Sequence, residues 1–146
     1  MSAVPFWKHL LRDHKAAATI ELAILAPAFL TLLFAVFQVD IATQNYNALR
    51  GISADVSRYA LVQYSTGNKL SKEQLRSHAL SVGRSAPYIL DSDMFNASVE
   101  QPATQRVIGA IEFELKLSYQ VFSMMNKYGL TGPYITFTRP VFVTNE

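Results

Sequence analysis

The chain has no cysteine in its 146 residues. That excludes a disulfide framework and any thiolate metal site, so a folded domain has to be held by core packing alone. It is also poor in charge: Asp, Glu, Lys and Arg make up 16% of it, against roughly 25% in a typical soluble domain. Glycine is missing before Gly51, and no glycine-rich phosphate loop occurs. His9, His14 and His78 lie far apart without ligand spacing, which fits surface histidines better than a metal centre. Ser77 beside His78 makes no catalytic triad, because adjacent residues on a helix point apart. Asp91 and Asp93 form a single Asp-x-Asp, the pattern of a turn more often than of a Ca²⁺ site. No metal, no cofactor and no catalytic residue is expected.

An excess of one charge sign is lacking too. The net charge is +2, and all of it comes from Lys8, Arg12 and Lys15 set against Asp13. From Ala17 onward Lys and Arg number ten, as do Asp and Glu. A basic surface is therefore absent from the pattern, and nucleic acid is not an expected partner.

What the chain does have is apolar sequence, 50% of all residues, concentrated near one end. Residues 22–37, LAILAPAFLTLLFAVF, are interrupted only by Pro27 and Thr31. With the alanines from Ala16 and with Val39 beyond, the run reaches the roughly 20 residues that a bilayer needs. The basic residues lie on its N-terminal side, which predicts a single span with the N-terminus in the cytoplasm and the remainder exported. A cleaved secretory signal shares the basic start and apolar core, but this run exceeds the usual core of about 7–15 residues. Cutting after Ala42 would also set Asp40 at the third position back, against the small-residue rule.

The pattern divides the chain into residues 1–16, a short basic tail; 17–39, the membrane part of a long helix; 40–64, its exported continuation; and 65–146, a small head. Leu49, Ile52, Val56 and Tyr59 or Ala60 recur at intervals of three and four, a helical stripe. Ser65, Thr66, Gly67 and Asn68 form a stop signal. Ser71 followed by Gln74 predicts a capping box opening a short helix that ends near Gly83, with Leu75, Ala79 and Val82 as its buried stripe. Alternation through Phe95, Ala97 and Val99, then through Ile111, Phe113, Leu115, Leu117 and Tyr119, predicts two half-buried strands. The stretch YITFTRP, with Ile135 and Phe137 facing one way, predicts a third. The expected fold class is α+β: a long N-terminal transmembrane helix continuing into a head with a short helix and a three-stranded antiparallel sheet.

Two features invite a functional reading. Phe122, Met124 and Met125 cluster where a connection between strands is usually polar. They fit either a loop tucked onto the sheet or a subunit contact. The second feature is Glu21, a carboxylate at the start of the apolar run. It is either a charge snorkelling at the membrane interface or a functional group, which is the default reading of an ionisable residue within a span.

Residues 15–23, KAAATIELA, and the following LAPAFLTLLF carry the order basic tail, small residues, glutamate, apolar run. This N-terminal motif resembles the type IV pilin superfamily, most closely the TadE-like minor pilins or pseudopilins of tight-adherence (Flp) pilus systems. The resemblance implies cleavage by an inner-membrane prepilin peptidase five residues before the glutamate. Here that junction lies between Ala16 and Ala17, where the family commonly has Gly on the leader side. It also implies that Glu21, the fifth residue of the mature chain, serves assembly. The implied partners are the peptidase, other pilin or pseudopilin subunits, an inner-membrane assembly platform and the lipid bilayer. The implied location is the bacterial inner membrane, with a periplasmic head and incorporation into the pilus open to it. The major Flp pilins that share this N-terminal pattern are much shorter and lack a sizeable head, which favours the minor role. Two other readings stay open: a permanently anchored scaffold of a secretion machine that keeps its leader, and an exported enzyme, for which the chain offers no site.

Overall fold

The computed structural model describes residues 14–104, 106–121 and 132–144, with side chains from residue 18 onward. In chain order the elements are helix α1 (His14–Ser65), helix α2 (Lys72–Arg84) and strands β1 (Phe95–Glu100), β2 (Ala110–Gln120) and β3 (Tyr134–Thr144). Packing divides the chain into two compact units, Met1–Asp40 and Ile41–Glu146.

In the first unit the described residues are all helical. Alanine and leucine dominate, and both are strong helix formers. Ile20, Leu22, Ile24, Leu25, Phe29 and Leu32 are exposed, and the apolar side chains ring the helix instead of forming one stripe. A helix apolar on every face is built for surroundings other than water. An 18-residue window here has a mean hydropathy of 2.3 and none of it is buried, so by length and composition the helix can cross a membrane. Pro27 lies inside it. Proline has no N–H, so the carbonyl of Ala23 loses its usual donor. One turn on, the Thr31 hydroxyl donates to the Pro27 carbonyl at 2.7 Å, which satisfies the hydroxyl where water is scarce.

In the second unit, residues 41–65 of α1 present an amphipathic stripe. Leu49, Ile52, Val56 and Ala60 are completely buried, at the three-and-four spacing of one helix face. Full burial of such side chains is worth about 1.5–3 kcal/mol each for Val, Leu or Ile. Ser53 and Ser57 are buried as well. Their hydroxyls donate to the carbonyls of Arg50 (2.8 Å) and Ser53 (2.6 Å), so no polar group is stranded. The helix stops where Gly67 adopts φ +78°, the left-handed cap that glycine enters without strain. Its N–H bonds the Tyr64 carbonyl at 3.0 Å.

Helix α2 opens with the expected capping box. The Ser71 hydroxyl accepts from the Gln74 N–H (3.2 Å), and the Gln74 side chain accepts from the Ser71 N–H (2.8 Å). Its buried residues are Leu75, Ala79 and Gly83. Val82 is half-buried and packs against the same core, while Gly83 is the more deeply buried because the Phe95 ring lies against it, leaving no room for a Cβ. Gly51 has the same role on α1: a Cβ there would meet the Tyr88 hydroxyl at 2.5 Å.

The sheet is antiparallel with order β1-β2-β3. Phe95, Ala97, Phe113, Leu115, Leu117, Tyr119, Val141 and Val143 join the α1 stripe and Leu75 and Ala79 of α2 in one core. Strand β3 runs past the proline that would be expected to end it, through Pro140 to Thr144. It can do so because β3 is an edge strand, where a missing N–H costs no ladder bond. At the other edge Arg76 Nε donates to the Ala97 carbonyl at 2.8 Å, covering a β1 acceptor that no strand among the described residues reaches.

Glu112 departs from the sequence pattern. Alternation places it on the outward face with Glu114 and Lys116, yet it is fully buried. The segment between β1 and β2 folds back over it. The Arg106 N–H donates to Glu112 Oε2 at 3.1 Å, and Arg106 Nη2 lies 2.7 Å from Oε1. The second contact is an ion pair without the alignment of a good hydrogen bond, since Oε1 has no geometrically sound donor.

Candidate functional site

Glu21 stands on the eighth residue of α1, exposed, with no ion pair among the described residues. Its neighbours one turn away in sequence, Ala17, Ala18, Ile24 and Leu25, offer neither cation nor side-chain donor. A carboxylate at the centre of a bilayer costs about 3 kcal/mol on insertion scales. None of these neighbours would lower such a cost for Glu21. Ala16 and Ala17 lie in the helical backbone just before it. The three residues thus sit on one element within about a turn and a half. Phe122, Met124 and Met125 fall outside the described residues; Val121, just before them, is buried.

The second unit contains features that the sequence pattern did not show. His78 is half-buried rather than a free surface residue. Its ring stacks on Tyr59 with centroids 3.7 Å apart and planes 19° apart, and burial holds its pKa below the usual histidine value. Around the pair lie Asn68, Leu70, Gln74, Ser77 and Ser81. No carboxylate lines this groove, so no acid orients His78 toward Ser77 and the triad geometry is missing. Tyr88 donates to Asp55 Oδ2 at 2.8 Å; burial first, and then Asp55, raise its hydroxyl above the ordinary phenol pKa. Asp91 is a turn former here: its Oδ1 accepts from the Asp93 N–H at 2.9 Å. Among the described residues no group of three or more His, Asp or Glu is placed to hold a metal ion.

An open cleft of about 430 Å³ is lined by Asn47, Arg50, Gly51 and Ala54 of α1 and by Phe137 and Arg139 of β3. Tyr46 packs edge-on against Phe137, with centroids 5.7 Å apart. The signal for this cleft was present in β3, where Ile135, Phe137, Val141 and Val143 alternate on the core side and Arg139 interrupts them.

The chain matches no curated protein and no solved structure in such comparisons. Residues 16–58 match the model of a family described as TadE-like protein. The match opens at Ala16 and takes in Glu21, the whole apolar run and the first buried positions of α1, so over this segment the chain is similar to the TadE-like family.

Proposed function

We propose that the protein is a minor pilin or pseudopilin of a Tad-type pilus, held in the inner membrane by α1 with its head in the periplasm until it joins the assembly. The observation that carries this reading is a carboxylate without an ion pair among the described residues, at the start of the exposed apolar stretch of α1, inside a segment matching the TadE-like family. Prepilin peptidase cuts between Ala16 and Ala17. The new ammonium at Ala17 then lies about 6 Å along the helix axis from Glu21. A terminus on the same chain, or on a neighbour, supplies the missing countercharge. An opposite pair at about 4 Å is worth up to roughly 4 kcal/mol at an effective dielectric near 20, enough to offset burial of the carboxylate. Other pilus subunits and the assembly platform are the partners, and the chain has no catalytic task.

The test uses one strain series. Mass measurement of the membrane-extracted chain should show a mature form beginning at Ala17. Glu21→Gln should insert and be processed normally, since neither step uses the charge pair, and should lose association with other pilus subunits. A processed Glu21→Gln protein that supports normal piliation would leave the carboxylate an interfacial bystander. An intact leader in cells with active peptidase would favour the anchored scaffold.

A further inference from the structure

The cleft between residues 47–54 of α1 and β3 is lined by two arginines, Arg50 and Arg139, the second of them at a β3 position where the alternation should offer an apolar side chain. Arg139 is opposite Leu115 in the β2–β3 register and so belongs to the core-facing side of the sheet. Arg50 immediately follows the buried Leu49. Both arginines are exposed, and neither has an ion pair among the described residues. No carboxylate lines the cleft; Ala54 adds only a methyl group, and Asn47 adds an amide. Two like charges in one recess repel each other, and the planar fork of arginine is shaped for bidentate pairing with a carboxylate.

The opposite face of the sheet carries the complement. Glu100 and Glu114 are direct cross-strand partners, which sets their Cβ atoms about 4.5–5.5 Å apart. Like charges directly opposite are destabilising, and among the described residues neither glutamate has an ion-pair partner. Lys116, diagonal to Glu100, forms no ion pair with either. Glu112 takes no part, being buried against Arg106.

We infer that the Arg50–Arg139 cleft of one copy receives the Glu100–Glu114 pair of a second copy of this chain. Two guanidinium groups meet two carboxylates, and each pair relieves the repulsion within the other. Because the two patches lie on opposite faces of the same sheet, the contact is heterologous. It cannot close as a two-fold dimer and runs on from copy to copy, as a ring or an open array. The inference deepens the assembly reading and rests on it for its biological setting, but it concerns the head alone and does not use Glu21.

The chain lacks cysteine, which makes a clean cross-linking test possible. Asn47→Cys and Ser98→Cys are introduced together into the full chain, marking the cleft and the outward face beside Glu100. The purified protein in phosphatidylcholine vesicles is then oxidised. The expected product is a ladder of dimers, trimers and larger species. Reversing the arginines (Arg50→Glu with Arg139→Glu) should lower the cross-linked fraction about tenfold or more, as like charges meet across the contact. Adding Glu100→Arg and Glu114→Arg to that chain should restore the ladder, which also shows that the reversed chains fold. Dimers alone, a ladder indifferent to charge reversal, or no rescue by the double reversal would each overturn the inference. So would native-mass detection of bound anionic phospholipid that is lost on Arg50→Gln with Arg139→Gln, since the cleft would then hold a headgroup. Repeating the cross-link in Glu21→Gln separates the two readings: the head contact predicts an intact ladder even where pilus association is lost.

Discussion

Phenylalanine behaves in opposite ways in the two units. Phe29, Phe34 and Phe37 of the first are 66%, 47% and 57% exposed, while Phe95 and Phe113 of the second are 3% and 4% exposed. The residue type is the same; its distribution around the element differs. From Leu49 to Ala60 the apolar residues keep to one stripe, and a sheet and a second helix of the same chain cover them. From Leu22 to Val39 they occupy every face, and among the described residues they stand exposed. The hydrophobic effect therefore folds one region onto itself and commits the other to lipid or to other chains.

Core truncation should separate the regions most sharply. Phe113→Ala removes a ring from the second unit's core and should cost about 3–5 kcal/mol, enough to unfold a small head. Phe29→Ala should leave head stability unchanged, as should Glu114→Ala within about 0.5 kcal/mol. Urea unfolding of the detergent-solubilised chain reads all three. Equal losses for Phe113→Ala and Glu114→Ala would refute the strand's facing. A smaller effect is expected from Gly83→Ala, whose new methyl group strikes the Phe95 ring. Overpacking of this kind costs about 1–3 kcal/mol, and Gly83→Ala with Phe95→Leu should recover part of it.

Loss of the α2 cap should cost less. Ser71→Ala removes the hydroxyl that accepts from Gln74 and should lower stability by about 1 kcal/mol, whereas Ser71→Asp should retain most of it. The smallest effect belongs to His78. Its pKa is depressed in the folded head, so the unfolded chain binds the proton more readily. The stability contributed by the neutral ring is then fully present above pH 6.5 and is lost as pH falls through the folded value. Thermal midpoints of the wild type should decline between pH 7 and pH 5 relative to His78→Phe, which keeps the stack and does not titrate. Parallel curves would remove the histidine from the pH response.

Much of the second unit was legible because it is local. A capping box needs only Ser71 and Gln74; a strand needs only period two from Ile111 to Tyr119. The features that escaped depend on what arrives from far along the chain. Alternation gives the face of Glu112 but not the loop that brings Arg106 over it. Gly51 reads as a poor helix former in mid-helix until Tyr88 is placed on top of it, and Gly83 reads as the end of α2 until Phe95 is placed against it. Pro140 reads as a stop until β3 proves to be an edge. His78 looks like a surface residue until Tyr59, nineteen positions earlier, stacks on it. In the first unit Glu21 and the apolar run are conspicuous in sequence, and the structure places them on one uninterrupted helical element with the Ala16–Ala17 pair.

Arg76 on the Ala97 carbonyl and Pro140 in β3 act at the two margins of the sheet. A membrane confines its proteins to a plane and brings their exported parts to high local concentration, conditions under which open strand edges recruit one another into cross-β stacks. One margin here has an acceptor already engaged, and the other has a gap in its row of N–H donors. Crowding can therefore press copies together without offering them a continuous backbone template, and side chains, not strand addition, have to choose the neighbour.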